Sequence, residues 1–135
     1  MDWKECYNRM IVKDVKPDID MANSLVKSSK NKLESESKLE MSDITTASKL
    51  SLAYDSLREI LEALSLKRGY KVYNHECYTS FLKEIIGKSD KGDEFDEIRK
   101  IRNLVNYYGK DISTQEAIEV IARIKKLRDF VSNLL

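Results

Sequence analysis

One proline, four glycines, two cysteines and a single histidine are spread through 135 residues. So few chain breakers exclude a fold of many short strands and tight turns, and favour long helices joined by short connections. The chain lacks a run of about 20 apolar residues and any signal-peptide pattern, so it is expected to avoid the membrane and to reside in the cytoplasm. Cys6 and Cys77 lie far apart, and His75 stands alone between them. A zinc site needs closely spaced cysteines and histidines, so neither a metal nor another cofactor is expected. The two cysteines read as buried free thiols, because a reducing cytoplasm disfavours a disulfide. A glycine-rich phosphate loop, a Ser-His-Asp order and a paired-carboxylate motif are also missing. With a net charge of +1, the chain has no excess for coating nucleic acid at large, and any RNA contact must come from a local patch.

What is present is amphipathic. Charged residues make up 35% and hydrophobic residues 41% of the chain. A domain of this size buries roughly two thirds of its unfolded surface, enough for one unit spanning residues 1–135. Trp3, Cys6, Tyr7 and Met10 form the stripe of a short helix within Met1 to Val15, lying on something larger. Pro17 breaks it, and Asp18 and Asp20 mark the next helix start. Ile19, Ala22, Leu25, Val26, Ser29 and Leu33 then predict an amphipathic helix to about Met41, with KSSKNKLESESKLE as its solvated face. Ser42 or Asp43 is placed to cap a third helix carrying Ala47, Leu50, Tyr54, Leu57, Leu61 and Leu64, the strongest helical signal in the chain. Gly69 stops it.

Tyr70, Tyr73 and Tyr78 surround the following turn. Asn74 is placed to cap a short helix with Cys77, Phe81, Leu82, Ile85 and Ile86, which Gly87 ends. Lys88 to Gly92 reads as a flexible loop. The next helix begins at Asp93 and turns Phe95, Ile98, Ile101, Val105 and Tyr108 towards a core before Gly109. Ser113 and Glu116 form the capping box of the last helix, whose buried stripe is Ala117, Val120, Ile121, Ile124, Leu127, Val131 and Leu134. The predicted fold class is all-α. It is an up-and-down bundle of four main helices, with a short N-terminal helix and another short one between the second main helix and the Asp93 helix.

The stretch Glu97 to Ser113, EIRKIRNLVNYYGKDIS, holds the candidate working surface. Arg99, Arg102, Asn103 and Asn106 fall on a side away from the apolar stripe. On an ideal helix Asn106 lies about 40° round from Arg102 and Arg99 about 60° round in the same direction, so the three are expected to address one ligand. Tyr107 sits about 140° from Arg102, and its participation requires a loosened helix end or a second chain. Arginines late in a helix are also favoured by the dipole, by about 0.3–1 kcal/mol, whether or not a ligand is present. The same applies to Arg123, Lys125, Lys126 and Arg128 near the end of the chain.

Arg102, Asn103, three residues and then Tyr107 resemble the Arg-Asn-x-x-x-His signature of HEPN domains, with tyrosine in the histidine position. SLAYDSLREILEAL (51–64) followed by GYKVYNHE (69–76) is similar to the second helix and following turn of archaeal-type members. The opening DWKECYNRMIVKDVKPDIDMANSLV has the same family look. The resemblance implies a small helical module, often paired with a nucleotidyltransferase or acting as an RNA-cleaving toxin, and commonly a homodimer. In the family pattern the arginine stabilises charge on a phosphate, while the histidine handles a proton during metal-independent attack by the RNA 2′-hydroxyl.

Arg102 suits bidentate bonding to phosphate, and Asn103 suits orienting a neighbour or binding the ligand. Tyr107, with a reference pKa of about 10, is a poor base, and losing a general base typically removes about 10²–10⁴ of rate. His75, in the tyrosine-rich turn, is the alternative proton carrier if that turn folds beside Arg102; a lone histidine is more often structural. The first functional expectation is therefore an RNA- or nucleotide-binding module with a degenerate ribonuclease motif, an accessory or toxin–antitoxin-type partner. An active metal-independent endoribonuclease comes second and a purely structural helical homodimer third.

Overall fold

The helix with the strongest apolar spacing is the axis of the molecule. In the computed structural model, which describes all 135 residues, this is α3 (Thr46–Lys67), and 14 of its 22 residues are buried. Before it come α1 (Trp3–Asn8), β1 (Val12–Asp14) and α2 (Ile19–Lys38). After it come β2 (Tyr70–Val72), α4 (Cys77–Ser80) running into one π-helical segment (Phe81–Ile85), α5 (Ser89–Tyr108) and α6 (Thr114–Ser132). The fold is predominantly helical, as the spacing predicts. No helix is long and apolar enough to cross a membrane.

Leu50, Tyr54, Leu57, Leu61 and Leu64 of α3 are buried, as are Phe95 and Ile98 of α5 and Ala117, Ile121, Ile124, Leu127 and Val131 of α6. These stripes meet in one core that also takes in Trp3, Val12, Tyr78 and Phe81. The starts of α2 and α6 carry the side-chain cap their sequence offers, whereas α3 starts after Thr45 with no cap from Ser42 or Asp43. The Asp18 carboxylate accepts from the Met21 amide at 3.0 Å, and the Ser113 hydroxyl accepts from the Glu116 amide at 3.1 Å. Gly109 ends α5 in the left-handed conformation, at φ 63°, while the amides of Gly109 and Lys110 both reach the Leu104 carbonyl.

Five departures from the sequence reading have physical causes. The first fifteen residues are more than a helix: β1 pairs antiparallel with β2, Val12 opposite Val72. Strands of three residues are too short to leave an alternating pattern. The two cysteines are joined as a disulfide between α1 and α4, with Cα atoms 6.2 Å apart, which corrects the free-thiol expectation. Lys88–Gly92 is the first turn of α5 instead of a loop, and Gly92 is buried. A Cβ there would lie 2.5 Å from Lys83 Cγ and 2.8 Å from the Thr79 carbonyl oxygen, so the glycine serves close packing.

The fourth departure is α2, which stops at Lys38 and buries only Ala22, Ser29 and Glu36, one residue every two turns. Two of the three are polar. Ser29 donates to the Ser56 carbonyl at 2.6 Å, and Glu36 is paired with Lys49 at 3.1 Å and Lys125 at 2.9 Å. Part of the face read as solvated is thus an inward polar seam against α3 and α6. The last departure is Tyr108, which is 79% exposed although its spacing points it at the core. Ile112, from the segment after Gly109, closes that end of the core instead.

Candidate phosphate-binding site

Two segments build one open cleft of about 260 Å³. The β2–α4 turn contributes Tyr73, Asn74, His75 and Glu76, and α5 contributes Arg99, Arg102, Asn103 and Tyr107. The turn is fixed locally. The Asn74 side-chain oxygen accepts from the Glu76 amide at 2.9 Å, and the Asn74 and His75 carbonyls accept from Cys77 and Tyr78, both at 3.0 Å. Asn74 thus winds the chain into α4 as its residue type suggests. Two residues beyond His75, Cys77 is locked to Cys6.

Behind the lining lies Tyr54 of α3, fully buried, whose hydroxyl is 3.4 Å from His75 Nδ1. The Arg102 guanidinium is stacked over the Tyr54 ring at 4.8 Å and lies 4.9 Å from the Tyr107 ring. Its Nη1 also donates to the Tyr107 hydroxyl at 2.8 Å and to the Asn103 side-chain oxygen at 3.4 Å. The helix does not loosen to allow this. Regular α5 runs through Tyr108, and the length of the arginine side chain spans the angular gap.

The charges are unevenly matched. Arg99 is paired with Asp96 at 2.9 Å, and Arg58 with Glu62 at 2.9 Å. Arg102 has only neutral partners, and its buried Nε has none. Arg99 Nε is likewise buried and unpartnered. Burial, then the positive charges of Arg58 and Arg102, hold the His75 imidazole below its usual range, so it is neutral near pH 7. Burial pushes the Tyr54 hydroxyl up to about 12 although Arg102, Arg99 and Arg58 favour its ionisation, so it keeps its proton. The site therefore combines one guanidinium without a carboxylate partner, a neutral imidazole and phenol hydroxyls, with the Glu76 carboxylate also on its wall.

Of the residues singled out from sequence, Arg99, Arg102, Asn103, Tyr107 and His75 share this cleft. Asn106 does not line it. Both polar atoms of its side chain pair with the Ser51 hydroxyl, at 2.9 and 3.0 Å, and join α5 to α3. Three of the four cations of α6 are engaged within the chain: Arg123 with Glu94 and Glu97, Lys125 with Glu36, and Arg128 with the Ser29 hydroxyl.

Sequence reasoning missed Tyr73 in the cleft wall and, behind it, Tyr54 and the charge of Arg58. Tyr54 sits in the apolar stripe and reads as core, which its ring is. The only available signal was its hydroxyl, which a buried tyrosine must place beside a polar group.

No protein-family model matches this chain, and no curated protein matches it in sequence.

Proposed function

We propose that the cleft binds the phosphate of an RNA or a nucleotide, and that the chain is a HEPN-type module whose four long helices form an up-and-down bundle. The observation that carries this reading is the Arg102 guanidinium, held between two tyrosine rings with no carboxylate partner and beside a neutral His75. A partly buried cation without an anion is costly, and a phosphate oxygen supplies the missing charge and hydrogen bonds. Arg99, already paired with Asp96, stands on the same wall with a free Nε, and Asn103 orients Arg102. The module acts as an accessory or toxin–antitoxin-type partner of a nucleotidyltransferase and as a twofold homodimer. The exposed Tyr107 and Tyr108 at the end of α5 support association through that end.

Fluorescence anisotropy with a labelled RNA oligomer tests the reading. Arg102→Ala loses a charge-assisted contact of about 1.5–3 kcal/mol, which is tenfold or more in affinity. Unchanged affinity in a variant that melts normally contradicts it.

His75 favours a second reading, metal-independent cleavage. A neutral imidazole in the same cleft is the proton acceptor that a tyrosine in the motif position fails to provide. His75 takes the proton of the 2′-hydroxyl, and the 2′-oxygen attacks the adjacent phosphorus. A cyclic phosphate forms, and the bond to the 5′-oxygen breaks as that oxygen gains a proton. Arg102 stabilises the charge that develops on the phosphate. On this reading wild type cleaves RNA in chelator, His75→Ala stops it and Tyr107→Phe retains it.

A further inference from the structure

At the other rim of the cleft stands Tyr73, and the phosphate reading leaves it without a role. It is 54% exposed, on the opposite side of the chain from the buried Val72, as alternation along an extended segment requires. Its backbone is fixed: the Tyr73 amide donates to the Ile11 carbonyl at 2.8 Å, extending the β1–β2 ladder by one bond. Two lysines flank the ring, with Lys13 Nζ 5.6 Å and Lys71 Nζ 6.0 Å from its centroid. Lys71 is already bound to Glu62 at 2.8 Å. Lys13 makes no ion pair, and the neighbouring Asp14 carboxylate is occupied by the Tyr7 hydroxyl. The hairpin therefore presents an exposed aromatic ring on a fixed backbone, with two lysine ammoniums over the ring and one of them unmatched, on the same cleft as Arg102.

Resting on the phosphate reading, we propose that Tyr73 is a stacking platform for the nucleobase next to the phosphate held by Arg102. Lys13 then meets the following phosphate. An aromatic face beside a cation is the arrangement by which proteins hold unpaired strands, since every base has a π-face and every linkage a charge. A base within a duplex already has both faces covered, so the platform has nothing to take. The ligand is accordingly single-stranded RNA of at least two nucleotides, rather than a duplex or a free mononucleotide. Tyr73 supplies the selectivity that Arg102, a reader of phosphate alone, lacks.

The test is anisotropy on the full chain with a labelled ten-nucleotide single-stranded RNA and with the same strand annealed to its complement. Wild type is expected to prefer the single strand at least tenfold. Tyr73→Ala should weaken single-strand binding about tenfold while leaving the weak duplex binding as it was, and Tyr73→Phe should retain wild-type affinity because only the ring is needed. Lys13→Ala should lower the slope of log affinity against log salt by about one. Equal affinity for both forms, or a Tyr73→Ala protein that binds like wild type while Arg102→Ala does not, overturns the stacking subsite and leaves the phosphate site standing. If Tyr73→Ala proves unstable, Tyr73→Leu replaces it against Tyr73→Phe, and equal affinity of those two overturns the proposal. Absence of RNA binding by wild type overturns both readings together.

Discussion

The Nδ1 atom of His75 lies 3.4 Å from the hydroxyl of Tyr54, whose ring is the surface on which Arg102 is stacked. Two segments far apart in sequence are thereby brought to one polar contact under a positive charge. That charge and burial set the protonation of His75. Its folded pKa lies below the ordinary value of about 6.5, so between the folded value and about 6.5 the unfolded chain binds more protons. The His75 contribution to stability is complete above about 6.5 and is lost as the pH falls through the window to the folded value. The shifted carboxylates Glu62, Glu94 and Asp96 are all held below their ordinary range and titrate at lower pH. Thermal melts between pH 7.5 and 5 should show wild type losing more stability on acidification than His75→Gln. Parallel curves for the two proteins would contradict the assignment.

The Cys6–Cys77 disulfide makes a second expectation. Its two cysteines are 71 residues apart, and opening a crosslink over a loop of that size typically costs about 2–4 kcal/mol. For a domain of this length the loss lowers the melting temperature on the order of 10 °C. Calorimetry with and without reductant, and of Cys6→Ala, measures it. Thiol titration of the unreduced protein in denaturant should find no reactive thiol; finding both thiols free would contradict the crosslink.

Gly92 yields a sign that helix propensity alone gets wrong. In an exposed helix Gly→Ala stabilises by about 1 kcal/mol. At Gly92 the new methyl would meet Lys83 Cγ, which is free to shift, and the Thr79 carbonyl oxygen at 2.8 Å, which is not. Gly92→Ala is expected to destabilise by about 1–3 kcal/mol in urea denaturation, and a stabilised variant would show that α5 sits farther from α4.

These cases mark where the chain is legible and where it stops being so. Leu57, Leu61, Ile98, Ile121 and Ile124 were readable because burial on one helix face imposes its period directly on the sequence. Gly92 was misread because the same residue serves a loop and a close helix contact, and only the opposing Thr79 tells them apart. The short strands carry too few residues for a period to emerge. In the site, Arg102 and Asn103 were visible as a local motif. The Arg102–Tyr107 bond was not, since ideal helix angles ignore the reach of a long side chain. His75 beside Tyr54 depends on how the β2–α4 turn docks on α3, a tertiary fact that no local spacing encodes. Cys6 with Cys77 is hidden for the same reason.

The phosphate site can be tested with a reporter that the chain already contains. His75 is the only histidine, so its imidazole gives one resolved set of proton and nitrogen resonances. Titrating the protein with a short single-stranded RNA while following those resonances reports directly on the Arg102 cleft. The resonances should move with RNA concentration in wild type. The imidazole pKa should rise as a phosphate offsets the field of Arg102, and both changes should vanish in Arg102→Ala. Saturable binding that leaves the His75 resonances and their titration unchanged would place the ligand elsewhere and contradict the account.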